Sequence, residues 1–328
     1  MKEITFGTSF SPEYAEYIGD KDPLETLRTI RRELNIQDFR LGLRWNTVEK
    51  EKKVSLAYYE KYLDYLLNKG CKICINIGPI KVMRWPEEHI PSYIDVKKRS
   101  IVKNDSDIAK YAIEYLFKLL ELLKRNYGEA LSSSSQVSFQ IENECYNRFG
   151  HKRLLMSDEY LLEVVKILNS YYPQNNLMMD SAARKDLRRI LHFFKIVTNS
   201  NLYSWEQLRV GLNYYSMIPE TLPFSKRIEA LTFFLPWSMP LCRLKSLQKK
   251  YDFGLEISEA QFEPWGVQTE PGNSLSELEY ILKNVVKIFP ENYSPKLVRL
   301  WGTEEFALKM KECKLTVEHE NILKRILS

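Results

Sequence analysis

The feature that most constrains this chain is an alternation. Eight short apolar runs with strand character are each followed by a stretch of helical periodicity across 328 residues. The strand-like runs fall at 4–10, 38–43, 72–77, 136–141, 176–180, 210–214, 253–258 and 296–301. Helical periodicity marks 23–34, 56–68, 106–127, 158–171, 185–197, 275–288 and 303–311, and 224–251 is expected to contain helix with a less clear pattern. Strands joined by helices in this order favour a parallel sheet, because a parallel pair needs a crossover of a dozen or more residues. Eight such units without a linker or repeat predict an α/β fold, one (β/α)8 barrel over 1–328 with an elaborated segment around 216–251.

Composition agrees with one large core: 44% of residues are hydrophobic and 28% charged, with no low-complexity tract. Net charge is +5, too balanced to suggest a nucleic-acid partner, and clusters such as Lys97-Lys98-Arg99 and Lys249-Lys250 read as scattered, solvated helix ends. The most apolar stretch, 230–241, is short and interrupted by Pro236 and Pro240, so it predicts no membrane span. Residues 1–7 carry no apolar signal region and run into a strand-like pattern, which predicts a cytoplasmic protein. The odd count of five cysteines suits a reducing compartment. Cys71 and Cys74 form a CxxC inside a strand-like run, where positions three apart face opposite ways. They read as small buried hydrophobes. His151, His192 and His319 lack partners by spacing, so neither a metal nor a cofactor is expected.

In a barrel of this kind, function gathers at the C-terminal ends of the strands. Those ends are polar and aromatic here: Arg44-Trp45-Asn46, Gly78-Pro79, Asn143-Glu144, Asp180-Ser181, Asn213-Tyr214-Tyr215, Glu259 and Trp301-Gly302. Strand parity sharpens the picture. In the second run Phe39, Leu41 and Leu43 share one face, leaving Arg40, Gly42 and Arg44 to point inward. In the fourth, Val137, Phe139 and Ile141 share the helix-facing side, leaving Ser138, Gln140, Glu142 and Glu144 inward. The sixth places Gly211, Asn213 and Tyr215 inward. The seventh breaks the rule. Glu259 shares parity with Leu255 and Ile257, so it must lie beyond the regular strand or follow a bulge, with Glu256 as the alternative carboxylate. Two carboxylates from separate strand ends are the machinery of glycosidic bond cleavage.

These segments resemble the retaining β-glycosidases of glycoside hydrolase clan A, over the chain from Phe6 to about Phe306. Phe39-Arg40-Leu41-Gly42-Leu43-Arg44-Trp45 is similar to the clan's second strand, which implies that Arg40 supports the nucleophile. Asn143-Glu144 resembles the pair ending the fourth strand, implying Glu144 as acid/base and Asn143 as a ligand of the sugar 2-hydroxyl. Gly211-Leu212-Asn213-Tyr214-Tyr215-Ser216 is similar to the sixth strand of β-glucosidase-type members, implying that Tyr215 hydrogen-bonds the nucleophile, with Asn213 beside it. Ile257-Ser258-Glu259 resembles the seventh-strand end, implying Glu259 as nucleophile. Leu300-Trp301-Gly302 resembles the eighth, whose Trp forms the floor under the reactive sugar. The third strand departs from β-glucosidases. Ile77-Gly78-Pro79-Ile80, with Trp85, Glu87 and Pro91 downstream, is closer to β-galactosidases that carry a Gly-Pro there. The resemblance implies a β-linked oligosaccharide or glycoside as substrate, with Trp45, Trp85 and Trp265 as further stacking surfaces and His89 as a hydroxyl ligand. In the retaining route the two carboxyl groups stand about 5–5.5 Å apart, against roughly 6.5–9.5 Å for inversion. The alternative reading is a carbohydrate-binding barrel of the same fold without turnover. Oligomeric state is left open.

Overall fold

The computed structural model describes residues 4–84, 86–181, 184–214, 238–261, 289–290 and 293–312, with side chains at 184–185, 238–243 and 261 left out. Trp85, Tyr215, Trp265, the expected helix at 275–288 and most of the 216–251 elaboration lie outside these residues.

Eight parallel strands close into a (β/α)8 TIM barrel. They are β1 (Ile4–Phe10), β2 (Asp38–Gly42), β3 (Lys72–Gly78), β4 (Val137–Ile141), β5 (Asn176–Ser181), β6 (Leu208–Tyr214), β7 (Gly254–Gln261) and β8 (Lys296–Trp301). Around the sheet the order is β1-β8-β7-β6-β5-β4-β3-β2, so sequential strands are neighbours and the ends meet. The helices are α1 (Pro12–Tyr17), α2 (Pro23–Glu33), α3 (Trp45–Val48), α4 (Ala57–Asn68), α5 (Asp107–Leu131), α6 (Asp158–Tyr171), α7 (Arg184–Asn199), α8 (Ser238–Tyr251) and α9 (Thr303–Lys311). Two short parallel or antiparallel ribbons, Glu49–Lys50 with Lys53–Val54 and Ile101–Val102 with Leu155–Met156, decorate the loops.

Local chemistry explains the element boundaries. Pro23 opens α2 with a preset φ, and the Asp22 side chain accepts from the Glu25 amide. Ser157 caps α6 the same way through Tyr160. On α5, Ile108, Ala112, Tyr115, Leu116, Leu119 and Leu123 form one buried stripe at helical spacing. Each large apolar side chain so buried contributes about 1.5–3 kcal/mol. Cys71 and Cys74 are buried thiols outside any disulfide, with Cys74 inside β3. No described helix is long and apolar enough to cross a membrane.

The described residues gather into two compact units. One is drawn from Met1–Arg40, Gly211–Lys250 and Leu255–Ser328, the other from Leu41–Val210 and Tyr251–Gly254. In the first, β1 runs beside β8 in unbroken register from Ile4↔Lys296 to Ser9↔Trp301. A buried ion network crosses this region. Arg299 Nε donates to Asp38 Oδ1 at 2.7 Å, and its Nη1 to Glu256 Oε1. Gly7 makes room for it, since a Cβ there would stand 2.9 Å from Arg299 Cγ.

β7 carries the irregularity that parity demanded. Ile257 pairs with Val298, but the next pairing is Ala260 with Leu300, so three steps along β7 match two along β8. One extra residue is a β-bulge. It puts Ile257 and Ala260 on the same face, both fully buried, and frees Glu259 to take the opposite one.

In the second unit β3 and β4 pair from Ile73↔Val137 to Asn76↔Gln140, then shift so that Gly78 meets Ile141. Val137, Phe139 and Ile141 pack outward, with Phe139 against Tyr172 at 4.6 Å between ring centroids.

Candidate active site

The bulge in β7 delivers Glu259 to a buried polar cluster of the first unit. Glu259 Oε1 accepts from Arg40 Nη1 at 2.5 Å, and neither side chain is more than 2% exposed. Arg40 Nη1 also reaches Ser9 Oγ at 3.3 Å, and Ser9 Oγ donates to the Ser258 carbonyl at 3.0 Å. Ser258 Oγ donates to Asn213 Oδ1 at 2.6 Å. Four strands, β1, β2, β6 and β7, therefore contribute to the hydrogen-bonded cluster around this carboxylate. A charge this deep persists only when it is paired and hydrogen-bonded. Glu256, the alternative carboxylate, belongs instead to the Arg299 network. Trp301 closes β8 and is 7% exposed.

In the second unit, β4 ends at Ile141 and the chain turns sharply through two left-handed residues, Glu142 (φ 39°) and Glu144 (φ 44°). This turn overrides simple alternation. Glu142 is turned to the loop after β3. Its carboxylate accepts from the Ile80 amide at 3.2 Å, the Lys81 amide at 2.5 Å and the Tyr160 hydroxyl at 2.7 Å. Burial raises its pKa to about 7, with those hydrogen bonds acting the other way. Tyr160, buried against this carboxylate, has its own pKa pushed up by burial first.

Glu144 is held by its main chain. Its amide donates to Asp180 Oδ1 at 2.8 Å, and its carbonyl accepts from Lys81 Nζ at 3.2 Å. Lys81 Nζ also donates to the Asn147 carbonyl at 2.8 Å. The Glu144 carboxylate accepts from Asn147 Nδ2 at 3.3 Å. Asn143, 2% exposed, donates its amide to the Lys81 carbonyl at 2.8 Å and accepts at Oδ1 from Gln140 at 3.4 Å. The loop after β3 thus grips the loop after β4 from both sides. Asp180, one of the polar strand ends, is a positioning group at the end of β5. Nothing in the sequence marked Lys81, because a lysine four residues past the strand's core reads as solvated; in the fold it is fully buried.

Two expected substrate contacts are engaged elsewhere. Trp45 is fully buried on α3, stacked on Tyr115 at 5.1 Å, and its indole donates to Glu49 at 2.9 Å. That packing leaves no ring face for a sugar. His89 is 2% exposed, with Nε2 donating to the Arg84 carbonyl at 3.2 Å. Burial and the Arg44 charge lower its pKa to about 3, so it is a neutral staple of its loop. No group of three or more His, Cys, Asp or Glu among the described residues is arranged to hold a metal ion.

The fold has counterparts among solved structures. A monomeric β-xylosidase from Caulobacter crescentus CB15 superposes with a TM-score of 0.58 at 13% identity, over 92% of this chain and 60% of that one. A GH5 family lichenase from Caldicellulosiruptor sp. F32 gives 0.58 at 12% identity, over 93% and 84%. A family 1 β-glucosidase from Thermotoga maritima gives 0.52 at 14%, over 92% and 88%. The chain spans about 60% of the length of the two xylosidases it matches. At such identities the likeness defines the fold class, a TIM barrel of the kind glycoside hydrolases use. No protein-family model matches the chain. No curated protein sequence matches it either.

Proposed function

We propose that this chain is a β-glycosidase that retains anomeric configuration, with Glu259 as nucleophile and Glu144 as acid/base. The observation that carries this reading is the Arg40–Glu259 pair, seated at a bulge that turns the carboxylate off the helix-facing side of β7. A guanidinium in contact keeps such a group ionised and aimed, as a nucleophile requires and a proton donor does not. The activities named for the structural neighbours, on xylosides, lichenan and glucosides, support a β-linked glycoside as substrate.

On this reading Glu144 protonates the leaving oxygen while Glu259 attacks the anomeric carbon, breaking the glycosidic bond and forming a glycosyl ester. Loss of the Glu259 charge then lets Glu144 act as base, taking a proton from the water that cleaves the ester. Asn143 binds the sugar 2-hydroxyl, Tyr215 and Asn213 orient the nucleophile's surroundings, and Trp301 with Trp85 and Trp265 supplies apolar surface for sugar rings.

The test is a panel of nitrophenyl β-glycosides with wild type, Glu144→Ala and Glu259→Ala. Wild type should turn over at least one, and each variant should lose about 10²–10⁴-fold or more. Azide should restore turnover with opposite anomeric outcomes in the two variants. Unimpaired hydrolysis by Glu259→Ala would remove it as nucleophile.

A further inference from the structure

Lys97-Lys98-Arg99 does not end a helix. It occupies a turn in the loop between β3 and α5, and that turn is stitched to the loop between β4 and α6. The Arg99 amide donates to the Lys152 carbonyl at 2.7 Å, and Ile101–Val102 pairs in parallel with Leu155–Met156. Arg148 Nη1 bridges the two loops, donating to the Arg99 carbonyl at 2.6 Å and the Arg153 carbonyl at 3.0 Å. Beneath them the buried Glu88 carboxylate accepts from the Lys152 and Leu154 amides at 3.2 and 3.1 Å. Gly150 packs directly on that carboxylate, where a Cβ would collide with it.

Clusters that are scattered in sequence therefore become one surface. Lys97, Lys98, Arg99 and Arg148 are exposed, and Lys152 and Arg153 half-buried. None of the six forms an ion pair among the described residues, although cations on the helices do, as in Lys110–Asp107, Lys118–Glu114 and Lys166–Glu163. Within 91–104 and 145–156 the acidic residue is Asp95. Glu88 below offsets one further charge, so a clear positive excess remains. Like charges gathered on two joined loops repel, and a bound polyanion relieves that repulsion while releasing its own counterions. The surface begins at the candidate acid/base loop. Arg148 is four residues beyond Glu144, and the Met156 amide donates to the Cys145 carbonyl at 3.0 Å.

We infer that this paired-loop surface binds an acidic polysaccharide, one carrying carboxylate or sulfate groups, and that such a glycan is the substrate class. The choice of a glycan among polyanions rests on the glycosidase reading, because the surface adjoins the loop that bears Glu144.

The experiment is retention of the full chain on immobilised polygalacturonate, dextran sulfate and neutral dextran, eluted with salt. The variants are Lys97→Gln/Lys98→Gln/Lys152→Gln and a control with the same charge change at exposed sites elsewhere, Lys53→Gln/Lys69→Gln/Lys72→Gln. Wild type and control should be retained on an acidic polymer and not on dextran, and the loop variant should bind at least about tenfold more weakly. Preference between the two acidic polymers identifies carboxylate or sulfate as the recognised group. Equal weakening of both variants, or retention unchanged by the loop variant, would overturn the assignment. So would tighter binding of duplex DNA or phosphatidylserine vesicles than of either polymer. Retention needs no turnover, and Glu144→Ala should be retained like wild type, so failure of binding and failure of catalysis are read separately.

Discussion

Lys81 and Glu142 carry more of the candidate site than their sequence positions suggest. Lys81 spends its ammonium on two main-chain carbonyls, those of Glu144 and Asn147. Lys81→Met should leave both carbonyls underpaired in a buried setting, costing about 1–3 kcal/mol. If Glu144 is the acid, the activity loss should also depend on the leaving group. Turnover of a p-nitrophenyl glycoside should fall well below that of the 2,4-dinitrophenyl analogue, which needs little protonation; a purely structural defect would lower both alike. Glu142 supplies a pH signature. Its folded pKa, about 7, lies above the 4.5 of an exposed Glu. Stability tied to this group is then full below about pH 4.5 and is lost as pH rises towards 7, a difference of about 3 kcal/mol. Melting temperature followed from pH 4.5 to 8 should show that decline in wild type. Glu142→Gln should lack the slope and start lower, because its NH₂ would replace one of the two oxygens and face either the Ile80 or the Lys81 amide.

At the scale of elements, the eight strands and the long helices were legible because their apolar periods are clean. β1 and β8 run over the predicted residues, as do α6 and α9. The short helices α1 and α3 have six and four residues, too few for a period to declare itself. Parity located the irregularity in the seventh strand but could not choose between a bulge and an early end. It misplaced Glu142, because a residue at φ 39° leaves the alternating geometry on which parity rests. The Arg40–Glu259 contact follows from inward parity on β2 plus the bulge on β7. The grip of Lys81 and Asp180 on Glu144 had no local signature, since it depends on which loops meet. Deleting Ala260 should remove the extra residue and leave Glu259 two regular steps after Ile257, on the helix-facing side and away from Arg40. If Glu259 is the nucleophile, the expected result is a loss of at least about 10³-fold in any turnover of nitrophenyl β-glycosides together with a lower melting temperature, since a charge is then buried unpaired. Full activity in that deletion would mean that the bulge has no part in placing the carboxylate.

Across the whole molecule, closure leaves the barrel without a free sheet edge, so damage inside the lumen should register in global unfolding. Arg299 ties β8 to Asp38 at the start of β2 and to Glu256 on β7. Arg299→Leu should strand two buried carboxylates, at a cost of about 3–5 kcal/mol and a melting point lower by roughly 10 °C. The triple change Asp38→Asn/Glu256→Gln/Arg299→Met removes all three charges and should recover much of that loss; if it melts no higher than the single variant, the network is not what stabilises this part of the barrel. The bulge in β7 has a consequence for descent as well. It works as a frameshift confined to one strand: upstream of it the odd positions look outward, and beyond it they look in. A lineage that lost the residue following Glu259 would keep an intact-looking barrel and an unchanged glutamate while silencing the site, so a relative's competence is to be judged by the register of the strand beyond Ile257 as much as by the presence of Glu259.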